Sequence, residues 1–472
     1  MRQDEAARWR EILHAIVATT IVCATCLQAQ TQKSQSTDLQ VLKGKMQRLE
    51  QEMQELKGEI DAVEQTQPTP LAAAAAALRT PPAPPTENAK ASTEKERSES
   101  TIELYGFVMT DTGYDFGQIN PQWFDVERPT QLPSYANQYG GNGNTYFGVR
   151  QTRFGVKTST PTDWGDLKTQ FEFELFGTGV DAGQTTFRLR HAYGELGQFG
   201  AGQTWSPFMD IDVFPNSLEY WGPNGMVFFR NVQVRWMPIR TSHTEVIAAL
   251  ERPGASADQG VYSERIELQN VKPRFNMPDV SGHVRLTRNW GYVQAAGIFR
   301  KIGWVDYNDP KFNLSGTAYG WGVNVTSNVK LSTKDVARLA VVYGEGVENY
   351  MNDAPVDIGI KNNFSNPVTP IKGVPLPVLG VVSFLDHNWS ERFSSAAGYS
   401  MVNIDNSNGQ NPSDFHQGHY ALANLLYHPT PKVTMGGEFQ FGRRVNFSDG
   451  FNVNDYRMQF SFKYDWKKTL AY

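Results

Sequence analysis

In the stretch "YRMQFSFKYDW", residues 456–466, large apolar side chains occupy every second position: Tyr456, Met458, Phe460, Phe462, Tyr464 and Trp466. Arg457, Gln459, Ser461, Lys463 and Asp465 alternate with them. A period of two is a β-strand with one apolar and one polar face. The alternation recurs in "DLKTQFEFELFG", where Leu167, Thr169, Phe171, Phe173 and Leu175 oppose Lys168, Gln170, Glu172 and Glu174. It recurs again in "RNVQVRWMP", where Val232, Val234 and Trp236 oppose Asn231, Gln233 and Arg235. Carried along the chain, the pattern predicts sixteen strands, near 101–113, 146–158, 166–177, 185–196, 199–206, 229–237, 243–251 and 280–289, then 290–303, 316–328, 335–345, 378–388, 391–403, 417–428, 431–444 and 455–466. The parity of the last strand continues through Leu470 to the terminal Tyr472, with Lys468 against it. Lys468 either snorkels at an interface or marks a strand that has already stopped at Trp466.

Such strands fit a soluble sandwich or a membrane barrel. The connections separate the two. Short links such as "PTDWG", "GQ", "PIRTS", "NW", "NWS" and "HPTP" alternate with longer ones at 114–145, 207–228, 252–279, 346–377 and 404–416. Sorted connections of this kind belong to a transmembrane barrel, with turns at one membrane face and loops at the other. A sandwich has no reason to sort them. The fold class read from the chain is therefore an all-β transmembrane barrel of about sixteen antiparallel strands, residues 101–472, preceded by a short α-helical coiled coil.

The first hundred residues are different. They hold no Phe, no Tyr and one Trp, Trp9, in a chain that is 12% aromatic. Residues 1–29 read as a signal peptide: Arg2, Arg8 and Arg10, an apolar stretch from Ile12 to Leu27, and Ala29 before the cleavage point. Cys23 and Cys26 both fall there, so the mature chain has no thiol for a disulfide or a metal site. Residues 30–66 carry an unbroken heptad series at Leu39, Leu42, Met46, Leu49, Met53, Leu56, Ile60 and Val63. A seam with a period of 3.5 on so short a helix calls for partner helices, so these eight residues are the predicted oligomerisation positions. Residues 67–100, rich in proline and alanine, read as a semi-rigid linker.

Net charge is uninformative: 44 Lys and Arg face 49 Asp and Glu. Placement is more useful. Parity with apolar neighbours turns Arg153, Lys157, Lys168, Arg188, Arg190, Arg235, Arg285, Arg444 and Arg457 into the lumen, where guanidinium forks suit carboxylates. A confined positive path concentrates anions. Bracing of the wall through Glu172, Glu174 and Glu438 is the plainer use of the same residues. The chain shows no catalytic constellation and calls for no cofactor, metal or nucleic acid. His191, His243, His283, His387, His416, His419 and His428 are scattered, and His416 and His419, read as lying in a loop beside Asp414, are a weak metal signal.

Several stretches are porin-like: "RQTRFGVKTS" (150–159), "LKTQFEFE" (167–174), "FRLRHAYGEL" (187–196) and "GEFQFGRR" (437–444). Together with the heptads and "GQTWSPFMDIDVFPNSLEYWGPNGMVFFRN" (202–231), they make the chain resemble bacterial trimeric outer-membrane porins, most of all the DcaP-like porins. The resemblance implies a homotrimer of sixteen-stranded barrels in the outer membrane, in contact with its lipid, with the coiled coil in the periplasm. It also implies passive uptake of small anionic, dicarboxylate-type solutes. By the same resemblance the connection 207–228, the third loop on its side of the barrel, would fold inward and narrow the pore, with Asp210, Asp212, Phe214, Glu219 and Trp221 as its constriction residues; packing on a neighbouring subunit is the alternative. A second role is open: the barrel as an anchor, its coiled coil tethering the membrane to peptidoglycan.

Overall fold

The computed structural model describes residues 99–254, 266–269, 271–306 and 311–471. The signal peptide, the heptads and all but the last two residues of the linker lie outside them, as does Tyr472.

From Thr101 the chain forms strand after strand: β1 (Thr101–Asp115), β2 (Asn144–Gly148), β3 (Arg153–Thr162), β4 (Gly165–Phe176), β5 (Thr185–Leu196), β6 (Phe199–Trp205) and β7 (Arg230–Arg240). Next come β8 (Thr244–Glu251), β9 (Val271–Pro273), β10 (Asp279–Arg288), β11 (Gly291–Asp306), β12 (Gly316–Lys330) and β13 (Asp335–Glu345). After β14 (Ile358–Asn362) and β15 (Ile371–Pro375) follow β16 (Pro377–Asn388), β17 (Phe393–Ile404), β18 (Phe415–Thr430), β19 (Val433–Asn446) and β20 (Asn452–Ala471). Each wall strand pairs antiparallel with its neighbour, and β20 returns to β1 over fifteen residues, from Thr101 opposite Ala471 to Asp115 opposite Arg457. The result is a closed antiparallel barrel of sixteen staves. Closure leaves no sheet edge along its seam, the condition a membrane sets on a β-structure.

Three readings of the sequence change. The run 146–158 is one stave but two strands, because the chain leaves the ladder between β2 and β3 and Arg150 turns inward onto Asp125. The final strand does not stop at Trp466: β20 runs on to Ala471, with Lys468 paired to Leu104. His416 and His419 lie on β18, not in a loop. Three apart on a strand, they point to opposite faces; His416 bonds Asn406 and His419 bonds Tyr399, so the pair cannot chelate one ion.

The alternation becomes two surfaces. On β20, Tyr456, Met458, Phe460, Phe462 and Tyr464 are outside and 43–55% exposed, whereas Arg457, Gln459 and Ser461 between them are buried inside. Connections at one end are tight, as at Asp163–Trp164 and Gly197–Gln198. Those at the other end are long, and the β14–β15 hairpin belongs to one of them. Apolar side chains of these loops, among them Phe208, Met209, Val227, Val347 and Tyr350, form a core with inward residues Ala296, Ile298, Val342, Val378 and Val402 of the wall.

Candidate functional site

The segment between β6 and β7, residues 206–229, folds into the barrel and bonds to its inner wall along its whole length. Asn324 and Gln294 donate to the carbonyls of Phe208 and Met209 (2.9 and 3.1 Å). Asp210 accepts from Tyr292 and Thr326 (2.7 and 2.6 Å). Arg285 bridges Asp210 and Asp212 (3.5 and 2.5 Å). Further along, Glu438 accepts the backbone N–H groups of Leu218 and Glu219 (2.8 and 3.0 Å) and pairs with no arginine among the described residues. Its expected bracing role is therefore a different one: it holds the loop, because it sits directly under two loop N–H groups.

Glu219 makes the sharpest feature of this segment. Its carboxylate accepts the N–H groups of Glu127, Trp221 and Gly222 and the Tyr420 hydroxyl. Gly222 takes φ 80°, a left-handed conformation open to glycine. Burial pushes the Glu219 carboxyl up to about 7, against the pull of its backbone N–H partners. Phe214 packs on Phe228 (ring centroids 5.7 Å). Trp221 donates from its ring N–H to the carbonyl of Asn352 (2.8 Å), which joins this loop to the one after β13. The loop is thus packed within its own barrel.

Beside it lies a cavity of about 850 Å³, lined by Arg128, Arg188, Arg230 and Arg444, by the carboxylates Asp181, Glu267 and Asp414, and by aromatic side chains that include Trp123, Tyr220 and Trp221. Arg188 and Arg230 of this lining belong to a charge cluster built by neighbouring strands. Arg190 bridges Glu172 and Glu174 (2.6 and 2.7 Å), and Arg153 reaches the same two (3.7 and 3.2 Å). Arg188 and Arg230 each stand 3.8 Å from Glu174, and the Tyr220 hydroxyl donates to it. Four guanidiniums therefore meet two carboxylates. Nε of Arg153, Nη1 of Arg188 and Nη1 of Arg230 are buried without an acceptor among the described residues. Buried donors of this kind are costly to leave unmade.

The other expected basic residues are scattered along the lumen. Lys157 stands over the Tyr105 ring (4.8 Å), and Lys168, near the tight-turn end, is exposed. Arg235 donates to Gln233 and to the carbonyl of Trp205. Arg444 donates to the carbonyls of Thr130 and Ser413 (both 3.0 Å). Arg457 is fully buried against Asp115 (2.9 Å) and so is sealed from the water path.

Two cavity residues escape a reading by parity. Arg230 begins β7, where alternation from Val232 assigns it to the lipid side, yet it turns in over Trp205 (5.0 Å). Arg128 lies in the aperiodic loop after β1, held between Trp123 and Trp221 (4.1 Å to each ring) and paired with Asp353 (2.9 Å). A register shift in β5 adds a third surprise. It lets consecutive Arg190 and His191 both face inward, His191 onto Thr204 (3.0 Å).

Residues 25–465 match the model of the DcaP outer membrane protein family. The chain belongs to the DcaP family. The outer membrane channel DcaP of Acinetobacter baumannii is similar in structure, with a TM-score of 0.64 and 19% identity over 78% of this chain and 98% of that one. The anion-selective porin from Comamonas acidovorans aligns with a TM-score of 0.50 and 9% identity over 78% of this chain and all of that one. At these identities the likeness shows the fold. No curated protein matches the chain. A DcaP-family chain with a closed barrel is an outer membrane protein of porin-like channel fold, and its family and structural neighbours are channels, not enzymes.

Proposed function

We propose that this DcaP-family protein is a porin for passive uptake of small hydrophilic anions, dicarboxylates among them, and that it works as a homotrimer with residues 30–66 as a periplasmic coiled coil. The observation that carries the solute class is the charge cluster beside the cavity, where four arginines, two of them in the cavity lining, outnumber two glutamates. An excess of two positive charges in a narrow, partly dry passage raises the local concentration of anions. Paired guanidiniums hold a carboxylate through parallel hydrogen bonds. The inward loop, with Asp210, Asp212, Phe214, Glu219 and Trp221, would set the width of the passage. Lys157, Lys168 and Arg235 would extend the positive path toward the tight-turn end.

Liposome swelling with neutral, cationic, monoanionic and dianionic solutes of matched size tests this. The expected order has dianions and monoanions entering faster than cations. Equal rates across charge types would remove the solute preference, and absence of any pore activity from the folded oligomer would remove the channel.

A further inference from the structure

The inward loop starts on a histidine that faces two acceptors. Alternation along β10 turns Asp279, Ser281, His283 and Arg285 into the lumen and leaves Val280, Val284 and Leu286 outside. Nδ1 of His283 stands 3.0 Å from the carbonyl oxygen of Pro207, the second residue of the loop. Its Nε2 stands 3.1 Å from a carboxylate oxygen of Glu245 on β8. A carbonyl and an ionised carboxylate can only accept. A neutral imidazole has one N–H and serves one of them; an imidazolium has two and serves both. The geometry therefore calls for the charged ring.

The surrounding charges leave Glu245 to His283. Arg285, on the same strand, is taken by Asp210 and Asp212 of the loop. Arg240, opposite Glu245 on β7, pairs with Glu195 (3.0 Å), and Arg235 of that strand donates to Gln233 and to the carbonyl of Trp205. Glu251, the next inward carboxylate of β8, accepts from Ser206 and Ser281. On β11 the residue opposite His283 is Ala296, beside Gln294, and the Tyr292 hydroxyl is given to Asp210. Among the described residues, His283 is the one basic side chain within 4 Å of the Glu245 carboxylate. The His283 side chain is 8% exposed and that of Glu245 32%, so the ring is covered while the carboxylate meets lumen water.

We propose that His283 is a pH-set charge of the lumen. As an imidazolium it clamps Pro207 and neutralises Glu245. When it gives its second proton to lumen water, one of the two bonds is lost and Glu245 remains as an uncancelled carboxylate beside the water path. The preference of the pore then moves from anions toward cations as pH rises. This rests on the channel reading above and adds a regulation to it.

Reversal potentials of the full-length protein in planar bilayers, under a KCl gradient centred on 0.1 M, test the consequence at pH 5 and pH 9. The loss of one unit charge is expected to lower the parent's anion-to-cation permeability ratio roughly fourfold between the two. His283→Gln should lack that change, and His283→Arg, a permanent cation with two donors, should keep the acid value at both. Nitrogen-15 NMR of the histidine-labelled protein in lipid bilayers reads the ring itself, with two protonated ring nitrogens expected at pH 5 and one at pH 9. The signals of His283 are those absent from His283→Gln, or displaced in Glu245→Gln where the first variant does not fold. A ring with one protonated nitrogen at pH 5 overturns the proposal, because the second proton is then on Glu245. A parent response that survives in full in His283→Gln overturns it too. A pore that prefers cations at both pH values and still shifts through His283 supports the clamp and overturns the solute class proposed above.

Discussion

Replacing Arg230 with glutamine removes one of four guanidiniums around Glu172 and Glu174 while Arg153 and Arg190 still hold both carboxylates. The cluster's excess of positive charge falls by half. A solute ion passing about 6 Å from that charge in a wet lumen feels about 0.7 kcal/mol at the dielectric constant of water. The charge attracts an anion and repels a cation by the same amount, so the anion-to-cation permeability ratio shifts by about 1.4 kcal/mol, or tenfold. A screening length of about 10 Å at 0.1 M salt reduces this to roughly fourfold. The assay is the reversal potential of single channels in planar bilayers under a KCl gradient, at 0.1 M and at 1 M salt. Arg230→Gln is expected to lower the anion preference about fourfold at the lower salt and far less at the higher. Arg188→Gln should act likewise, and the double variant should exceed either. A folded Arg230→Gln channel with an unchanged ratio at 0.1 M would refute the assignment of selectivity to this cluster. So would a shift equal in size at both salts, because a screened charge cannot produce one.

Arg457→Met leaves Asp115 buried without its partner, a loss of about 3–5 kcal/mol; the thermal unfolding of the barrel in detergent should move down while the reversal potential stays put. Glu219 has a carboxyl pushed up to about 7 by burial, so the stability it lends the inward loop is full below the ordinary value of 4.5 and declines as pH rises through 7. Open-channel current noise should therefore grow between pH 6 and pH 8 in the parent and lose that pH dependence in Glu219→Gln. The double variant Asp210→Asn, Asp212→Asn frees the loop from Arg285, and single-channel conductance should rise and fluctuate more. A lysine at Phe460, on the outside of β20, should destabilise the barrel by about 2–4 kcal/mol if it lies at mid-bilayer, measured by folding into lipid vesicles.

The architecture was legible in the chain because a barrel in lipid repeats one local rule. Every stave must show apolar groups outward and polar groups inward, so period-two alternation in segments such as Tyr456–Trp466 reveals both the strand and its faces. The sorting of short and long connections then separates barrel from sandwich, and the heptads between Leu39 and Val63 are equally local. Alternation even turns Arg153, Arg188, Arg190 and Arg235 to the correct face.

What alternation does not contain is depth, partner or coverage. Arg457 and Arg188 have the same parity, yet one is sealed beneath the loop after β1 while the other borders an open cavity. Arg230 and Arg128 joined the site only because a strand end and an aperiodic loop were carried to it by contacts with residues distant in sequence, Glu174 and Asp353. The shift that turns both Arg190 and His191 inward comes from pairing with β4 and leaves no trace in β5 alone. Strand ends such as Arg230 and the register shift at Arg190 and His191 aside, the sequence by itself determined which strand residues meet lipid and which meet the lumen, since within a regular strand that is decided by its own backbone geometry. Only the tertiary structure decided which lumen charges cancel and which are left over, because cancellation depends on what the long loops bring within a few ångströms of the wall.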